Sequence, residues 1–176
     1  LRNEASGTLI LTGPTVGGGP LSGSVVNLGT LVRENSPTNN GTTTITGGLD
    51  NRGTVDVREG ALDVTGAVVQ LAAVPVAQDT ILTGGIWRVR NLTTLNLPQP
   101  IEVVGAQATL DLVGLSNVPD LTGFLRENRG TMLFSGGRPG ISGPGPAIVN
   151  KGTLQMGGDL FSLQVFETPV EQRAAG

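Results

Sequence analysis

Four charged side chains offer the most recognisable chemistry in this sequence: Glu34, Asp56, Arg58 and Asp63. Two carboxylates facing one sugar can divide acid and base work on a glycosidic bond, and a neighbouring arginine can hold an anionic group. That use needs carboxylates to converge. Asp56 and Asp63 lie on successive short apolar runs. If those runs stack as a repeat, the neighbours of Asp56 above and below are Val32, Asn96 and Gln155. Carboxylates then do not accumulate, and the charges read as solvated strand faces. On this reading Asp56→Asn should leave stability nearly unchanged, whereas Val55→Asp should unfold the local chain by burying an unpaired charge.

The residues that ordinarily carry catalysis are missing. The sequence has no His and no Cys, which removes the usual base near neutral pH, thiol nucleophiles, disulfides and thiolate metal sites together. The expectation is a protein that is not an enzyme, with no cofactor and no metal. Gly157-Gly158-Asp159 is an isolated fragment of the tandem glycine–aspartate pattern that binds calcium, and it reads as a turn. Carbohydrate recognition usually needs exposed aromatics. Here Trp87, the single Trp, stands four residues before Asn91, and Phe124 stands four before Asn128. That shared phase reads as internal packing; exposure of both would make a sugar-stacking platform. Trp87, Asp56 and Arg58 are thus the candidate ligand-facing residues. The ten Arg and single Lys are scattered and the formal net charge is -3, so nucleic acid is not an expected partner. No apolar run reaches the length of a membrane-spanning helix, so this segment should not insert in a membrane.

The elements that must position these groups come from a repeat. Asn27-Leu-Gly-Thr30-Leu, Asn51-Arg-Gly-Thr54-Val, Asn128-Arg-Gly-Thr131-Met and Asn150-Lys-Gly-Thr153-Leu are four near-identical matches. Gly29, Gly53, Gly130 and Gly152 hold the same place before each Thr. Looser copies are Gly7-Thr8-Leu9, with Asn3 upstream, and Asn91-Leu-Thr-Thr94-Leu. The Thr spacings are 22, 24, 40, 37 and 22 residues. The two long gaps predict degenerate coils near Ala73–Val76 and Leu115–Val118, giving seven steps of about 21 residues between Thr8 and Thr153.

Within each period apolar residues alternate two by two, as in Thr54-Val-Asp-Val57 and Ala61-Leu-Asp-Val64, which marks strands. Three short strands per period, with Gly or Pro corners, predict an all-β, right-handed, three-sided parallel β-helix of about eight coils. Leu9, Leu31, Val55, Val57, Leu95, Leu97, Met132, Phe134, Leu154 and Met156 should point inward. The corner glycines should adopt a conformation closed to other residues, and Asn27, Asn51, Asn128 and Asn150 should stack, partly buried, with their amides bonded from coil to coil. Thr8, Thr30, Thr54, Thr94, Thr131 and Thr153 should form an outward column. Its neighbours Ile10, Val32, Asp56, Asn96, Leu133 and Gln155 are too mixed for the flat double column that ice binding needs.

The stretches Gly7-Thr-Leu-Ile-Leu-Thr-Gly13, Val26-Asn-Leu-Gly-Thr-Leu31 and Leu49-Asp-Asn-Arg-Gly-Thr-Val55 resemble the passenger repeats of bacterial autotransporters and the repeats of filamentous-haemagglutinin-type adhesins. The resemblance implies secretion, a β-helix stalk and adhesion or surface architecture, with the chain outside the bacterial cell or on its surface. Residues 1–160 are expected to form the solenoid and 161–176 a cap, a linker or the start of a next module. Leu1 opens almost directly into a repeat, which predicts a mature segment of something larger or a subunit that stacks end to end. The expected partners are another copy of the chain, a surface polysaccharide or a host surface; the alternative role is a polysaccharide-binding module.

Overall fold

The computed structural model describes residues 1–12, 21–34, 41–73, 79–136, 141, 143–144, 147–157 and 170–172. The described chain is all β, with no helix among these residues, and its strands stack in parallel into a β-solenoid of about six turns. The physical reason is local. Runs such as Thr54–Val57 and Ala61–Val64 are too short to bury their apolar side alone, and stacking the next run at the strand spacing closes one core along the whole axis.

The largest sheet carries the repeat. Thr8, Thr30, Thr54, Ile86, Thr109, Thr131 and Thr153 are successive partners at seven levels. One residue further on, Leu9, Leu31, Val55, Trp87, Leu110, Met132 and Leu154 form an inward column by the same register. Leu31, Val55, Trp87, Leu110 and Met132 are fully buried, and Leu9 and Leu154 pack against them. Val57, Leu95, Leu97 and Phe134 are buried as well, but Met156 is exposed.

Turns between these levels contain 22, 24, 32, 23, 22 and 22 residues. Among the described residues neither expected degenerate coil stands at its predicted place. The long turn before Ile86 holds an insertion in which Leu71–Ala73 pairs antiparallel with the beginning of the strand Thr80–Val89; Val74–Val76 lie outside the described residues. Asn117 bridges Thr94 within an ordinary turn, so Leu115–Val118 is not a copy of the corner. The true successors of Thr54 are Ile86 and Thr109. Asn91 and Thr94 are correspondingly not repeat-corner residues. Thr94 pairs with Ala61 on a different sheet, and Asn91 sits in an exposed turn where its Oδ1 accepts the Leu115 amide at 2.8 Å.

The Asn corners are real but fall into two runs. Asn3 Nδ2 donates to Asn27 Oδ1 and Asn27 Nδ2 to Asn51 Oδ1, each at 2.8 Å. Further along, Asn128 Nδ2 donates to Asn150 Oδ1 at 2.7 Å and Asn150 Nδ2 to Gln172 Oε1 at 2.6 Å. Gln172 belongs to Val170–Gln172, which adds a parallel strand beside Ile148–Asn150; residues 161–169 and 173–176 of the C-terminal segment lie outside the described residues. At the break, Asn51 N–H donates to Gln70 Oε1 at 2.6 Å and Asn51 Nδ2 to Ile86 O at 3.3 Å, while the register that leads to Asn128 comes from Leu82, paired on its other side with Leu71, and Val104, both fully buried. There the chain takes four and five residues to reach Ile86 and Thr109 instead of three, and the strands Thr80–Val89 and Val103–Val113 run on through the corner with a register shift. Apolar side chains stand at these two register positions, and the carbonyl of Ile86 is met by the amide of Asn51.

The corner glycines are needed for space and not for backbone conformation. None of Gly29, Gly53, Gly130 and Gly152 has a positive φ. A Cβ on Gly53 would lie 2.1 Å from Gly29 O, and one on Gly152 2.1 Å from Gly130 O. Successive coils touch backbone to backbone at this column.

Candidate functional site

The outward side of the large sheet presents three adjacent columns. The first is the Thr column, interrupted by Ile86. The second reads Ile10, Val32, Asp56, Arg88, Asp111, Leu133 and Gln155. The third includes Thr12, Glu34, Arg58 and Arg90, because the amide of Arg58 bonds to Arg33 O and that of Arg90 to Val57 O. The expected neighbours Val32 and Gln155 of Asp56 are in its column, but Asn96 is not; Arg88 and Asp111 stand there instead. Asn96 faces Asp63 on the sheet that carries Ala61–Val64 and hydrogen-bonds its carboxylate. Glu34, Asp56 and Arg58 therefore come together, and Asp63 stays apart from them.

Asp56 is the hub. Although its strand phase turns it outward, it is only 2% exposed. Arg58 Nε reaches its Oδ2 at 2.8 Å, while Arg90 Nε and Nη2 grip Oδ1 and Oδ2, each at 2.9 Å. Arg58 also reaches Glu34 Oε1 through Nη1 at 2.8 Å. One level further, Arg88 Nε bonds to Asp111 Oδ2 at 2.6 Å. Burial pushes the Asp56 carboxyl up, but the hydrogen bonds from Arg90 and Arg58 outweigh it and hold the group below the ordinary carboxylate range. The same bonds to Asp56 hold the Arg58 and Arg90 guanidiniums above their usual value. Asp56 is thus a fixed anion, not a base waiting for a proton.

Arg88, Arg90 and Asp111 carry no motif of their own and escaped the sequence reading. The signal lay in one alignment: Thr54-Val-Asp-Val-Arg58 over Ile86-Trp-Arg-Val-Arg90 over Thr109-Leu-Asp-Leu-Val113. It becomes visible only once Ile86 is accepted in a Thr column.

Trp87 is no sugar platform. It is fully buried, with Nε1 donating to Gly84 O at 2.9 Å. Phe124 does not share its environment, being 44% exposed. A second charged network lies away from this face: Arg126 pairs with Glu102 and Asp79, and Glu127 with Arg129 and Lys151. A groove of about 280 Å³ is lined by Thr65, Gly66, Ala67, Val68, Leu71, Pro98 and Gln99, none of them titratable.

Among the described residues no three His, Cys, Asp or Glu side chains gather as a metal site, and no helix is long and apolar enough to cross a membrane. Against protein-family models, curated proteins and solved structures, no match to the chain is found.

Proposed function

We propose that this chain is a structural or adhesive module of a secreted or cell-surface bacterial protein and acts as a stiff rod. The observation that supports this is the unbroken seven-level register from Thr8 to Thr153, with a buried apolar column beside it at every interior level. At the strand spacing of about 4.8 Å, six turns span roughly 29 Å. Each turn is tied to the next by backbone bonds, by the amide ladders and by ion pairs, so bending the rod means breaking several of these at once. The finer reading is a right-handed, three-sided helix whose corner positions from Asn3 to Gln172 count eight coils. A fibre built of such units and a stalk within a longer chain both use this stiffness, and neither calls for a catalytic group.

The experiment is immunogold labelling of intact producing cells with antibodies to this chain. Gold on the cell surface or along extracellular filaments supports the reading, and the two patterns separate stalk from fibre. Label that appears only after permeabilisation would overturn it.

A further inference from the structure

The geometry points to an anion-recognition strip on the outer face of the rod, formed by Arg88, Arg90 and Arg58, and we infer that it takes a linear anionic polysaccharide. The three guanidiniums lie on two adjacent levels, with side chains 36%, 39% and 45% exposed. Each is anchored from behind through Nε: Arg88 to Asp111, and Arg90 and Arg58 to Asp56. An arginine held by its Nε edge keeps part of its fork directed away from the anchor and loses little freedom when it binds. Among the described residues, neither terminal nitrogen of Arg88 makes a hydrogen bond, nor does Nη1 of Arg90 or Nη2 of Arg58. Arg88 lies on the strand Thr80–Val89 and Arg90 directly after its end, two residues apart at a separation of roughly 7 Å if the chain stays extended, and Arg58 lies one level away.

The surroundings select the ligand class. Glu34, Asp56 and Asp111 balance the three arginines, and the whole chain is acidic at -3. A densely charged polyphosphate depends on net positive potential and is disfavoured. A polymer with isolated anionic groups among hydroxyls fits better. Its carboxylate or sulfate takes the fork of Arg88, and its hydroxyls meet the neighbouring column of Thr54 and Thr109 and the acceptor oxygens of Asp111 and Glu34. With Trp87 buried, recognition is polar and not by ring stacking. This inference goes beyond the rod: a rod with an empty face would still be a rod, and the surface labelling above does not depend on it.

The test is titration of the intact chain with a galacturonate hexamer, a sulfated dextran oligomer of similar length and the methyl-esterified galacturonate hexamer. Binding is followed by calorimetry and by the NMR signals of the arginine Nε–H groups. Binding of the acidic or the sulfated oligomer, with the Arg88 and Arg90 signals moving, is the expected result; the preferred one identifies carboxylate or sulfate as the source. Arg88→Gln should weaken it about tenfold or more, the worth of one charge-assisted bond, and Arg88→Lys should restore only part of it because the fork is lost. Arg88→Gln combined with Asp111→Asn keeps a neutral pair and guards against misfolding. Equal binding of the esterified hexamer, full binding by Arg88→Gln, tighter binding of a thymidylate hexamer, or no binding at millimolar ligand would each overturn the inference.

Discussion

Asn27 and Asn51 share one buried hydrogen bond, Nδ2 to Oδ1 at 2.8 Å, across a full turn of the solenoid. Asn27 Nδ2 also donates to Thr54 O at 2.9 Å, and its Oδ1 accepts from Asn3. Both side chains are wholly buried, so no water replaces a lost partner. Asn27→Ala takes a partner from Asn51 Oδ1, from the part-buried Thr54 O and from Asn3 Nδ2, which keeps its bonds to Gly7 O and Thr30 O, and the expected cost is about 2–4 kcal/mol. Asn27→Leu should cost nearly as much, because leucine fills the space but leaves Asn51 Oδ1 and Thr54 O without the amide that meets them. Urea unfolding of both variants against the parent checks this; a stable Asn27→Leu would mean that the corner relaxes on its own.

Gly53 supports a sharper contrast. A methyl there would lie 2.1 Å from Gly29 O and 2.7 Å from the Leu28 carbonyl carbon, all of it backbone. Gly53→Ala must push two coils apart, with an expected loss of about 3 kcal/mol or more. Gly23→Ala meets nothing within 4 Å and has no positive φ, so it should be silent. Thermal unfolding of the pair separates a demand for space from a general intolerance of replacing Gly.

The Asn-x-Gly-Thr corners, the alternating strands and most of the core were legible in the sequence because each depends on side chains within five residues. The placing of the middle levels was not. It depended on recognising Ile86 and Thr109 as members of a Thr column, and the insertion that includes Leu71–Ala73 displaced every later level from a regular period. Counting Asn91 and Thr94 as repeat corners followed directly from that slip. The role of Asp56 was hidden for the same reason, since the arginine that clasps it comes from a level whose position was unknown. Arg33 is the other surprise. It stands in the inward column between Leu11 and Val57, fully buried, where its guanidinium bonds to the carbonyls of Glu34, Gly41 and Ala61. Burial lowers its pKa and the charge of Glu59 offsets part of that. No alternation rule places an arginine inside a core; carbonyl oxygens converging from two corners make it tolerable.

Asp56→Asn should be costly, contrary to the expectation for an exposed strand charge. The carboxylate is nearly inaccessible and answers two arginines, so the amide loses the bidentate grip of Arg90 and leaves both guanidiniums short of an anion. The expected loss is about 2–3 kcal/mol at neutral pH. Its folded pKa lies below the unfolded value of 3.8, so this stability is present above that value and disappears as pH falls through the folded one. The gap between parent and variant should therefore narrow below about pH 4. A gap independent of pH would assign the loss to shape and not to charge.

Asp120 carries the opposite sign. Burial pushes its carboxyl up, and hydrogen bonds from the backbone, including Leu97 N–H at 2.7 Å, only partly counter it. No arginine or lysine is paired with it among the described residues. Since its folded pKa lies above the unfolded 3.8, ionisation favours the unfolded chain, and stability falls as pH rises from the unfolded value through the folded one. Asp120→Asn removes the charge while its side-chain oxygen can still accept from Leu97. The variant should be more stable than the parent at pH 7 and no more stable at pH 3, where the parent carboxyl is already protonated. Unfolding curves for both proteins at those two pH values decide it. A variant weaker at pH 7 would mean that the ionised carboxylate makes its backbone bonds strong enough to outweigh its burial.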